Sequence, residues 1–150
     1  MIKIITKNKK AYFDYKVLET FEAGIVLSGP EVKSVKKGQI NLKGSYVTIS
    51  NKEVNLLNTH IAPYQFAKIE SYNPKRTRKL LFHKKEVNYF IGKLNEKGLT
   101  FLPLKVYLKK GFVKLEIGIA RGKKRYDKRE TVKKRESERM IQRAIKQKNK

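Results

Sequence analysis

The clearest pattern along the chain is the alternation of apolar and polar residues, which recurs in short segments typical of antiparallel strands. Residues 11–27 alternate in this way, with Phe13, Tyr15 and Val17 on one side, so we expect one long strand or a bent pair. Gly24 lies inside this segment. It indicates a bulge or a barrel corner, because a side chain would crowd the bend.

Two hairpins are predicted further along the chain, each made of two alternating segments joined by two turn residues. The segments and turns are residues 46–50 and 54–57 around Asn51-Lys52, and residues 99–109 and 112–120 around Lys110-Gly111. In the second hairpin, alternate residues from Val113 to Ile119 are apolar and share the face that we expect to be buried.

Two short helices interrupt the strands. Ser28 and Glu31 have the spacing of a capping box at the start of the first helix, and Gly38 ends it. The second helix spans residues 84–96, because apolar residues recur there at helical spacing between His83, a possible cap, and Gly98. Many short antiparallel strands with about three helices predict a mainly β fold, an OB-type barrel.

Two connecting segments are predicted to be irregular. His60 to Tyr64 is interpreted as a helical turn or a loop, and residues 68–79 are polar and contain Asn73-Pro74, which predicts a surface loop. No long apolar run and no signal peptide are seen, so we expect a soluble protein that stays in the cytoplasm and does not contact membranes.

The charge of the chain points to a polyanionic partner. The sequence has 37 Lys and Arg against 13 Asp and Glu, a net charge of +24. Residues 121–150 carry +10 of it and few apolar residues, which leaves +14 on residues 1–120. We therefore expect a nucleic-acid-binding domain over residues 1–120 and a basic tail over residues 121–150 that is disordered alone and becomes helical on a polyanion.

Signals for catalysis are weak. There is no cysteine, and His60 and His83 stand apart from other metal ligands, so we expect no metal, no cofactor and no catalytic residue. Glu31-Val-Lys33 resembles half of a metal-dependent nuclease site, which would need a second carboxylate to hold Mg²⁺. A small nuclease therefore remains the weakest of the alternatives.

Basic residues interleaved with aromatic ones are the stronger signal. The segment from Tyr72 to Lys79 places four cations behind a tyrosine, and residues 8–12 repeat the theme, as suits phosphate binding with stacking on bases. Lys109, Lys110 and Lys114 add charge to the last hairpin. Glu22 could accept hydrogen bonds from base amines or form a local salt bridge, and the sequence favours neither.

Several blocks of the sequence resemble the small protein B, or SsrA-binding protein, family in the order that this family has them. They are Asn8-Lys-Lys-Ala11, Phe21-Glu-Ala-Gly24, Glu31-Val-Lys-Ser34, Asn58-Thr-His-Ile-Ala-Pro-Tyr64, Pro74-Lys-Arg-Thr-Arg-Lys-Leu-Leu81, Gly118-Ile-Ala-Arg-Gly-Lys-Lys124 and Asp127-Lys-Arg129. Each block alone is weak evidence, whereas together they cover nearly the whole chain and are specific.

The resemblance implies an RNA-binding adaptor that is not an enzyme. It would bind the tRNA-like domain of transfer-messenger RNA and deliver it to stalled ribosomes, with elongation factor Tu in the delivery complex. The protein, expected to be a monomer, would stand in for the missing anticodon arm. Residues expected to bind the RNA, from the family motifs and the basic clusters, are Asn8, Lys9, Lys10, Glu22, Lys33, Arg76, Arg78, Lys79, Leu81 and Lys114.

The same resemblance places the tail in the small subunit, beside 16S ribosomal RNA at the decoding centre and in the empty messenger channel. Tyr126 stands where many relatives carry His and keeps a ring that can stack. The residues expected to take part are Arg121, Gly122, Lys123, Lys124, Tyr126, Asp127, Lys128, Arg129, Lys133, Lys134, Arg135 and Arg139. The competing hypothesis is a general OB-type module for single-stranded nucleic acid, which would not prefer a folded RNA.

Overall fold

A computed structural model describes residues 2–67, 70–123, 129 and 132–141. Twelve elements follow one another in the body. In chain order they are β1 (Ile2–Lys7), α1 (Lys9–Asp14), β2 (Tyr15–Ile25), α2 (Gly29–Lys36), β3 (Ile40–Asn41), β4 (Tyr46–Ser50), β5 (Glu53–Leu57), β6 (His60–Ile61), β7 (Arg78–Leu81), α3 (Lys84–Leu94), β8 (Leu99–Lys109) and β9 (Phe112–Gly122). Residues 132–141 are also helical.

Seven strands form one antiparallel sheet in the order β1-β8-β9-β2-β7-β5-β4, and β3 pairs with β6 in a separate two-stranded sheet. The large sheet curls until β4 lies against β8, which encloses the core. The predicted mainly β, antiparallel barrel with short helices is therefore confirmed. None of the helices in the described residues is long and apolar enough to cross a membrane.

Both predicted hairpins are present, with the turns where the sequence placed them. Asn51 and Lys52 have φ of 50° and 63°, and Lys110 and Gly111 have φ of 52° and 81°. These left-handed conformations at both turn positions match the right-handed twist of the flanking strands. The two-residue turn at Lys110-Gly111 sets the register of the β8–β9 ladder beside it, so that Tyr107 pairs with Lys114.

The two predicted helices are confirmed as well. In α2, Ser28 Oγ accepts from Glu31 N at 3.3 Å and Glu31 Oε1 accepts from Ser28 N at 3.0 Å, which is the expected capping box. In α3, Phe90 is fully buried and meets Phe21, Phe82 and Phe101 edge to face, with ring centroids 4.8 to 5.5 Å apart. Burial of one such side chain stabilises a fold by about 1.5–3 kcal/mol.

The predicted strand over residues 11–27 is wrong at its start. Residues 9–14 form the helix α1, and the strand β2 begins only at Tyr15. The irregularity in β2 lies between Val17 and Glu19, not at Gly24. Gly24 instead pairs with Lys114 on one side and Leu81 on the other, and an added Cβ would lie 3.2 Å from the Cβ of Leu81.

Asn8 explains why α1 forms. It caps the helix by accepting from Ala11 N at 3.2 Å, and its Nδ2 donates to Pro103 O at 2.9 Å. Its own backbone N–H donates to Leu104 O at 2.7 Å. The β8 ladder is irregular between Pro103 and Lys105, so Asn8 satisfies carbonyls beside this irregularity.

Three further boundaries differ from the prediction. His60 and Ile61 form β6, where a helical turn or a loop was predicted over His60–Tyr64, and the predicted surface loop ends early because β7 begins at Arg78. The last strand runs to Gly122, two residues beyond the predicted end of the body. Lys123 N then donates to Asp14 O at 2.8 Å, so the chain after β9 starts beside the end of α1.

Candidate RNA interface

The outer side of four neighbouring strands gathers several of the residues that the sequence indicated for RNA binding. Across β2, β7, β8 and β9 the ladder sets Gly24 against Leu81, Gly24 against Lys114, and Lys114 against Tyr107. Partners in a ladder point to the same face of a sheet. We call this surface the Glu22 face; it comprises Glu22, Lys79, Leu81, Tyr107, Lys109 and Lys114.

Glu22 is held in place at the centre of this face. Tyr107 Oη donates to Glu22 Oε2 at 2.6 Å, and Lys109 Nζ lies 3.3 Å from the same oxygen. The side chain of Glu22 remains 37% exposed. Since both of these donors use Oε2, Oε1 is the oxygen that can accept from an incoming amine or hydroxyl group.

The electrostatics of Glu22 keep it ionised. The hydrogen bond from Tyr107 lowers its pKa, and Lys109 and Lys114 act in the same direction against a smaller effect of burial. Burial and the neighbouring Glu22 carboxylate in turn raise the pKa of Tyr107, which stays protonated as a donor. The sequence favoured neither a salt bridge nor a base contact for Glu22. In the structure Glu22 forms the salt bridge with Lys109, and its Oε1 stays available as an acceptor.

Leu81 and Lys79 provide the other part of the Glu22 face. Along β7 exposure alternates, so that Lys79 and Leu81 point outward while Arg78 and Leu80 are buried. Leu81 is 52% exposed and lies against the backbone of Gly24, where a side chain would require Leu81 to shift by a few tenths of an ångström. Lys79 is 53% exposed, with its Nζ 4.0 Å from Glu53 Oε1, a pair too exposed to fix its position strongly.

Arg78 is placed wrongly by the sequence interpretation. It was expected in an exposed loop that grips phosphate, yet its side chain is 0% exposed. Its Nε and Nη2 donate to Glu31 Oε2 at 2.8 and 2.6 Å, and its Nη1 donates to Thr59 O at 2.7 Å. Tyr72 Oη and Pro74 O accept from Nη2 as well. A guanidinium whose donors are satisfied inside the protein cannot contact RNA without unfolding this network.

The carboxylate of Glu31 is the centre of that network. It accepts from Arg76, Arg78 and Tyr72, and it is 1% exposed. Burial alone would raise its pKa, but the hydrogen bonds from Arg76, from the backbone of Ser28 and from Arg78 outweigh burial and lower the pKa to about 2. Because guanidinium groups occupy its oxygens, Glu31 is not placed to bind Mg²⁺ as the nuclease hypothesis requires.

Arg76 takes part in the Glu31 network and also remains partly exposed to a binding partner. Its Nε donates to both oxygens of Glu31 at 3.1 Å and its Nη2 pairs with Glu31 Oε1, while 36% of its side chain stays exposed. These contacts attach the loop from Tyr72 to Thr77 to α2. As to metal binding, the described residues contain no group of three His, Cys, Asp or Glu positioned to hold a metal ion.

Asn8 is the second correction among the expected RNA contacts. Its side chain is used to cap α1 and to bind Pro103 O, and the residue is only 8% exposed. Lys9 and Lys10, in the first turn of the same helix, are exposed. Lys33 lies elsewhere, on α2, with its ammonium 5.3 Å from the ring centroid of Tyr64. The ten expected RNA-binding residues therefore do not form one surface.

Tyr107 is the residue that the sequence interpretation missed. The signal was present, because a two-residue turn at Lys110-Gly111 pairs Tyr107 directly with Lys114. Only 5% of Tyr107 is exposed, so most of its ring belongs to the buried part of the protein. Its hydroxyl group nevertheless reaches the outer face and orients Glu22.

The residues expected at the ribosome begin at the end of β9. Arg121 and Gly122 are exposed strand residues, and Arg129, Lys133, Lys134, Arg135 and Arg139 are exposed too. The Arg135 guanidinium lies 5.6 Å from the ring centroid of Phe13 in α1. Lys124, Tyr126, Asp127 and Lys128 lie outside the described residues. Residues 132–141 are helical and fall within the tail expected to become helical on a polyanion, and the disorder expected of the tail alone stays a prediction.

Comparison with known proteins gives a consistent result. The SsrA-binding protein of Geobacillus kaustophilus is 50% identical over 148 residues, covering 99% of this chain and 96% of that protein. Those of Trichodesmium erythraeum and Gloeothece citriformis are 51% and 54% identical, covering 97% and 96% of this chain and 94% of each relative.

One solved structure, described as "tmRNA-SmpB: a journey to the center of the bacterial ribosome", contains a chain that is 44% identical. It superposes with a TM-score of 0.66 and covers 85% of this chain and 93% of that chain. The family model described as "SmpB protein" matches residues 5–147. With nearly the full length matched by both the family model and the relatives, the chain belongs to the SmpB protein family.

Proposed function

We propose that the chain binds the tRNA-like domain of transfer-messenger RNA through the Glu22 face and carries this RNA to stalled ribosomes. The observation that carries the proposal is the geometry of Glu22, an ionised acceptor that is oriented by Tyr107 and Lys109 and has Lys114 near enough to lower its pKa. Cations bind phosphates, and an acceptor beside them tests for a base or ribose donor. Such a surface suits a folded RNA with a defined backbone path.

The relatives support this function by what they are named for. Proteins about 50% identical to this chain are SsrA-binding proteins, and the structurally similar chain is described with tmRNA and the bacterial ribosome. The proposal transfers that role to this chain. We further propose that it acts in the cytoplasm as a monomer, joins a delivery complex with elongation factor Tu, and supplies no catalytic group, since peptide transfer belongs to the ribosome.

The tail is proposed to act on the ribosome and not in RNA selection. Lys133, Lys134, Arg135 and Arg139 are exposed along residues 132–141, where cations are available to ribosomal RNA. Together with the residues from Arg121 to Arg129, they would lie beside 16S ribosomal RNA at the decoding centre and in the messenger channel. The barrel would stand in for the anticodon arm.

Competition binding tests the first part of the proposal. A labelled tRNA-like domain is displaced from the full-length protein by an unlabelled copy or by an unstructured oligonucleotide of equal length, at low and at raised salt. We expect the preference for the folded RNA to persist at raised salt, because part of the binding comes from contacts other than phosphates. Equal displacement by both RNAs would support the general single-strand module instead.

A pair of full-length variants separates the body from the tail. Glu22→Ala should weaken binding of the tRNA-like domain, with ribosome rescue failing in consequence. Replacing Lys133, Lys134, Arg135 and Arg139 together by Gln should preserve most of the preference for the tRNA-like domain but abolish rescue on messages without a stop codon. If the tail variant loses the preference for the folded RNA, the division of roles is wrong.

A further inference from the structure

A cluster of aromatic and basic side chains lies away from the Glu22 face, between the end of α2 and the loop after β6. We call it the Tyr64 cluster; it comprises Lys33, Lys37, Tyr64 and Phe66. Lys37 Nζ lies 5.1 Å from the ring centroid of Tyr64 and 5.4 Å from that of Phe66. The two rings meet edge to face, with centroids 5.4 Å apart.

The cluster is built on fixed elements. Lys33 and Lys37 are four residues apart at the end of α2, so they lie on the same side of the helix. The loop that carries the rings is attached by Ala62 N to Gln39 O at 3.1 Å and closed by Ala67 N to Tyr64 O at 3.0 Å. The Glu31 network supports the same region, since the Tyr72 hydroxyl group lies within hydrogen-bond distance of both Glu31 Oε2, at 3.1 Å, and Ile61 O, at 3.0 Å.

Phe66 has no role in the core. It is 73% exposed, the largest exposure among the large apolar side chains described, and it belongs to neither hydrophobic cluster. Singly exposed apolar side chains are common on protein surfaces, but a second aromatic ring and an ammonium group lie beside Phe66, and together these groups form a surface suited to binding. The position of Lys37 beside its ring adds a charge at the edge of that surface.

The charges at the cluster select the kind of partner. In the part of the chain that the structure describes, no carboxylate lies within ion-pair distance of Lys33 or Lys37, and Lys36 adds a third exposed cation on α2. A flat apolar ring beside unpaired cations fits a nucleotide, whose base stacks while its phosphate meets an ammonium group. An apolar peptide would leave the cations without partners.

We propose that the Tyr64 cluster is a second RNA contact, at which Phe66 stacks on an unpaired base and Lys33 and Lys37 bind the adjacent phosphates. The proposal deepens the function proposed above and rests on it, because it adds an RNA contact to a protein proposed to bind RNA through the Glu22 face. The cluster involves other residues and another sheet, since β6 pairs with β3 and not with the seven-stranded sheet. The two sites therefore share no residue.

The experiment uses full-length protein and a single-stranded hexaribonucleotide that carries one 2-aminopurine, whose fluorescence is quenched on stacking. Phe66→Leu keeps an apolar side chain but removes the ring, and Phe66→Trp keeps a ring. We expect Phe66→Leu to lose the quenching and to weaken binding about tenfold, within the range of one base–aromatic stack, while Phe66→Trp retains both. Unchanged quenching in Phe66→Leu would overturn the proposal.

The lysines are tested by salt dependence. Replacing Lys33 and Lys37 by Gln should make the slope of log affinity against log salt less steep by about 0.7 for each phosphate contact that is lost. The matched control replaces Lys43 and Lys97, which are exposed lysines elsewhere on the body, by Gln. An equal change of slope in both variants would show a general charge effect and would overturn the specific contact.

The two proposals fail in different ways. If Phe66→Leu binds the hexaribonucleotide as well as the unaltered protein does, while the preference for the tRNA-like domain persists, only the second contact is refuted. If the unaltered protein shows no preference for the tRNA-like domain but Phe66→Leu still loses quenching, the proposed function is refuted and the stacking site is supported. Glu22→Ala should leave the quenching of the hexaribonucleotide intact.

Discussion

The Glu31 carboxylate and the Arg78 guanidinium form an ion pair in which the side chains are 1% and 0% exposed. Two elements and two loops are joined by it, because Glu31 lies in α2, Arg78 begins β7, and Arg78 also donates to Thr59 O and Pro74 O in the loops. A buried charge that loses its partner destabilises a protein far more than the intact pair stabilises it. The pair is therefore a structural requirement of the body.

The first prediction concerns this pair. Glu31→Ala should lower the free energy of unfolding by about 3–5 kcal/mol, because it leaves the Arg78 charge buried without a carboxylate. Arg78→Ala should also destabilise the fold, but by less, because Glu31 keeps its hydrogen bonds from Arg76. Arg76→Ala should cost less, since its side chain is 36% exposed. Chemical denaturation followed by circular dichroism measures these changes.

Lys79→Ala is the matched control for Arg78→Ala, as it removes the neighbouring cation of β7 from the exposed side. Its effect should stay within about 0.5 kcal/mol. The double variant of Glu31 and Arg78 should cost clearly less than the sum of the single variants. Additive costs would mean that the two groups are not coupled.

The second prediction is a pH dependence of stability. The pKa of Glu31 is about 2 in the folded protein against an ordinary value of 4.5. The folded state therefore binds fewer protons than the unfolded state in this range, and the stabilisation by the ionised carboxylate is complete above about pH 4.5. It should be lost progressively as the pH falls from about 4.5 to 2.

Glu31→Gln is the appropriate comparison for the pH dependence, because it cannot ionise and keeps a similar shape. Its free energy of unfolding should be lower at neutral pH and should change less between about pH 4.5 and 2. Glu22, whose pKa is also lowered, contributes a change of the same sign in both proteins. Identical pH profiles for Glu31→Gln and the unaltered protein would contradict the assignment to Glu31.

The third prediction tests Tyr107 as a positioning residue. Tyr107→Phe removes the hydrogen bond to Glu22 Oε2, so the carboxylate should lose its orientation and its pKa should rise towards the ordinary value. We expect the affinity for the tRNA-like domain to fall about 3- to 10-fold, or about 0.6–1.4 kcal/mol, because the lost hydrogen bond orients Glu22 and does not itself contact the RNA. Titration of Glu22 by NMR separates this role from a merely structural one.

Tyr46→Phe provides a control, because Tyr46 is an exposed tyrosine on β4, outside the Glu22 face. It should change neither the RNA affinity nor the titration of Glu22. The interpretation of Tyr107 would be wrong if Tyr107→Phe lowered the RNA affinity while leaving the pKa of Glu22 unchanged.

The fourth prediction is a stabilising substitution. Ser34 in α2 is 0% exposed, and its Oγ has no hydrogen-bond partner among the described residues. Ser34→Ala removes an unsatisfied hydroxyl group and improves helix propensity, so it should raise the free energy of unfolding by about 1 kcal/mol. Ser45→Ala should have the opposite sign, because Ser45 Oγ binds Asn58 O and accepts from Thr59. Thermal unfolding of both variants measures these changes, and a loss of stability in Ser34→Ala would contradict the prediction.

The comparison of sequence and structure shows which features are local. The hairpin turns and the Ser28–Glu31 capping box depend on neighbouring residues, and the sequence placed them correctly. The burial of Arg78 depends on Glu31, 47 positions away, so a cluster of cations was mistaken for an exposed loop. Sequence periodicity carries no information about such a distant partner.

The helix α1 was missed for a similar reason. Residues 11–15 alternate like a strand, but Asn8 caps a helix there and is fixed by Pro103, 95 positions away. The same contact explains why Asn8 was interpreted as an RNA ligand: a buried structural amide and an exposed binding amide look alike in a sequence. In contrast, Glu22, Leu81 and Lys114 share a face because strand pairing is regular there.

The hydrogen bond from Lys123 N to Asp14 O sets a geometric limit on where residues 124–150 can bind. It places the start of these 27 residues at the end of α1. A stretch of that length reaches no further than about 97 Å even when fully extended. Any site that residues 124–150 occupy while the Glu22 face holds RNA must therefore lie inside a sphere centred on that point, and the radius shrinks for each turn of helix that these residues form.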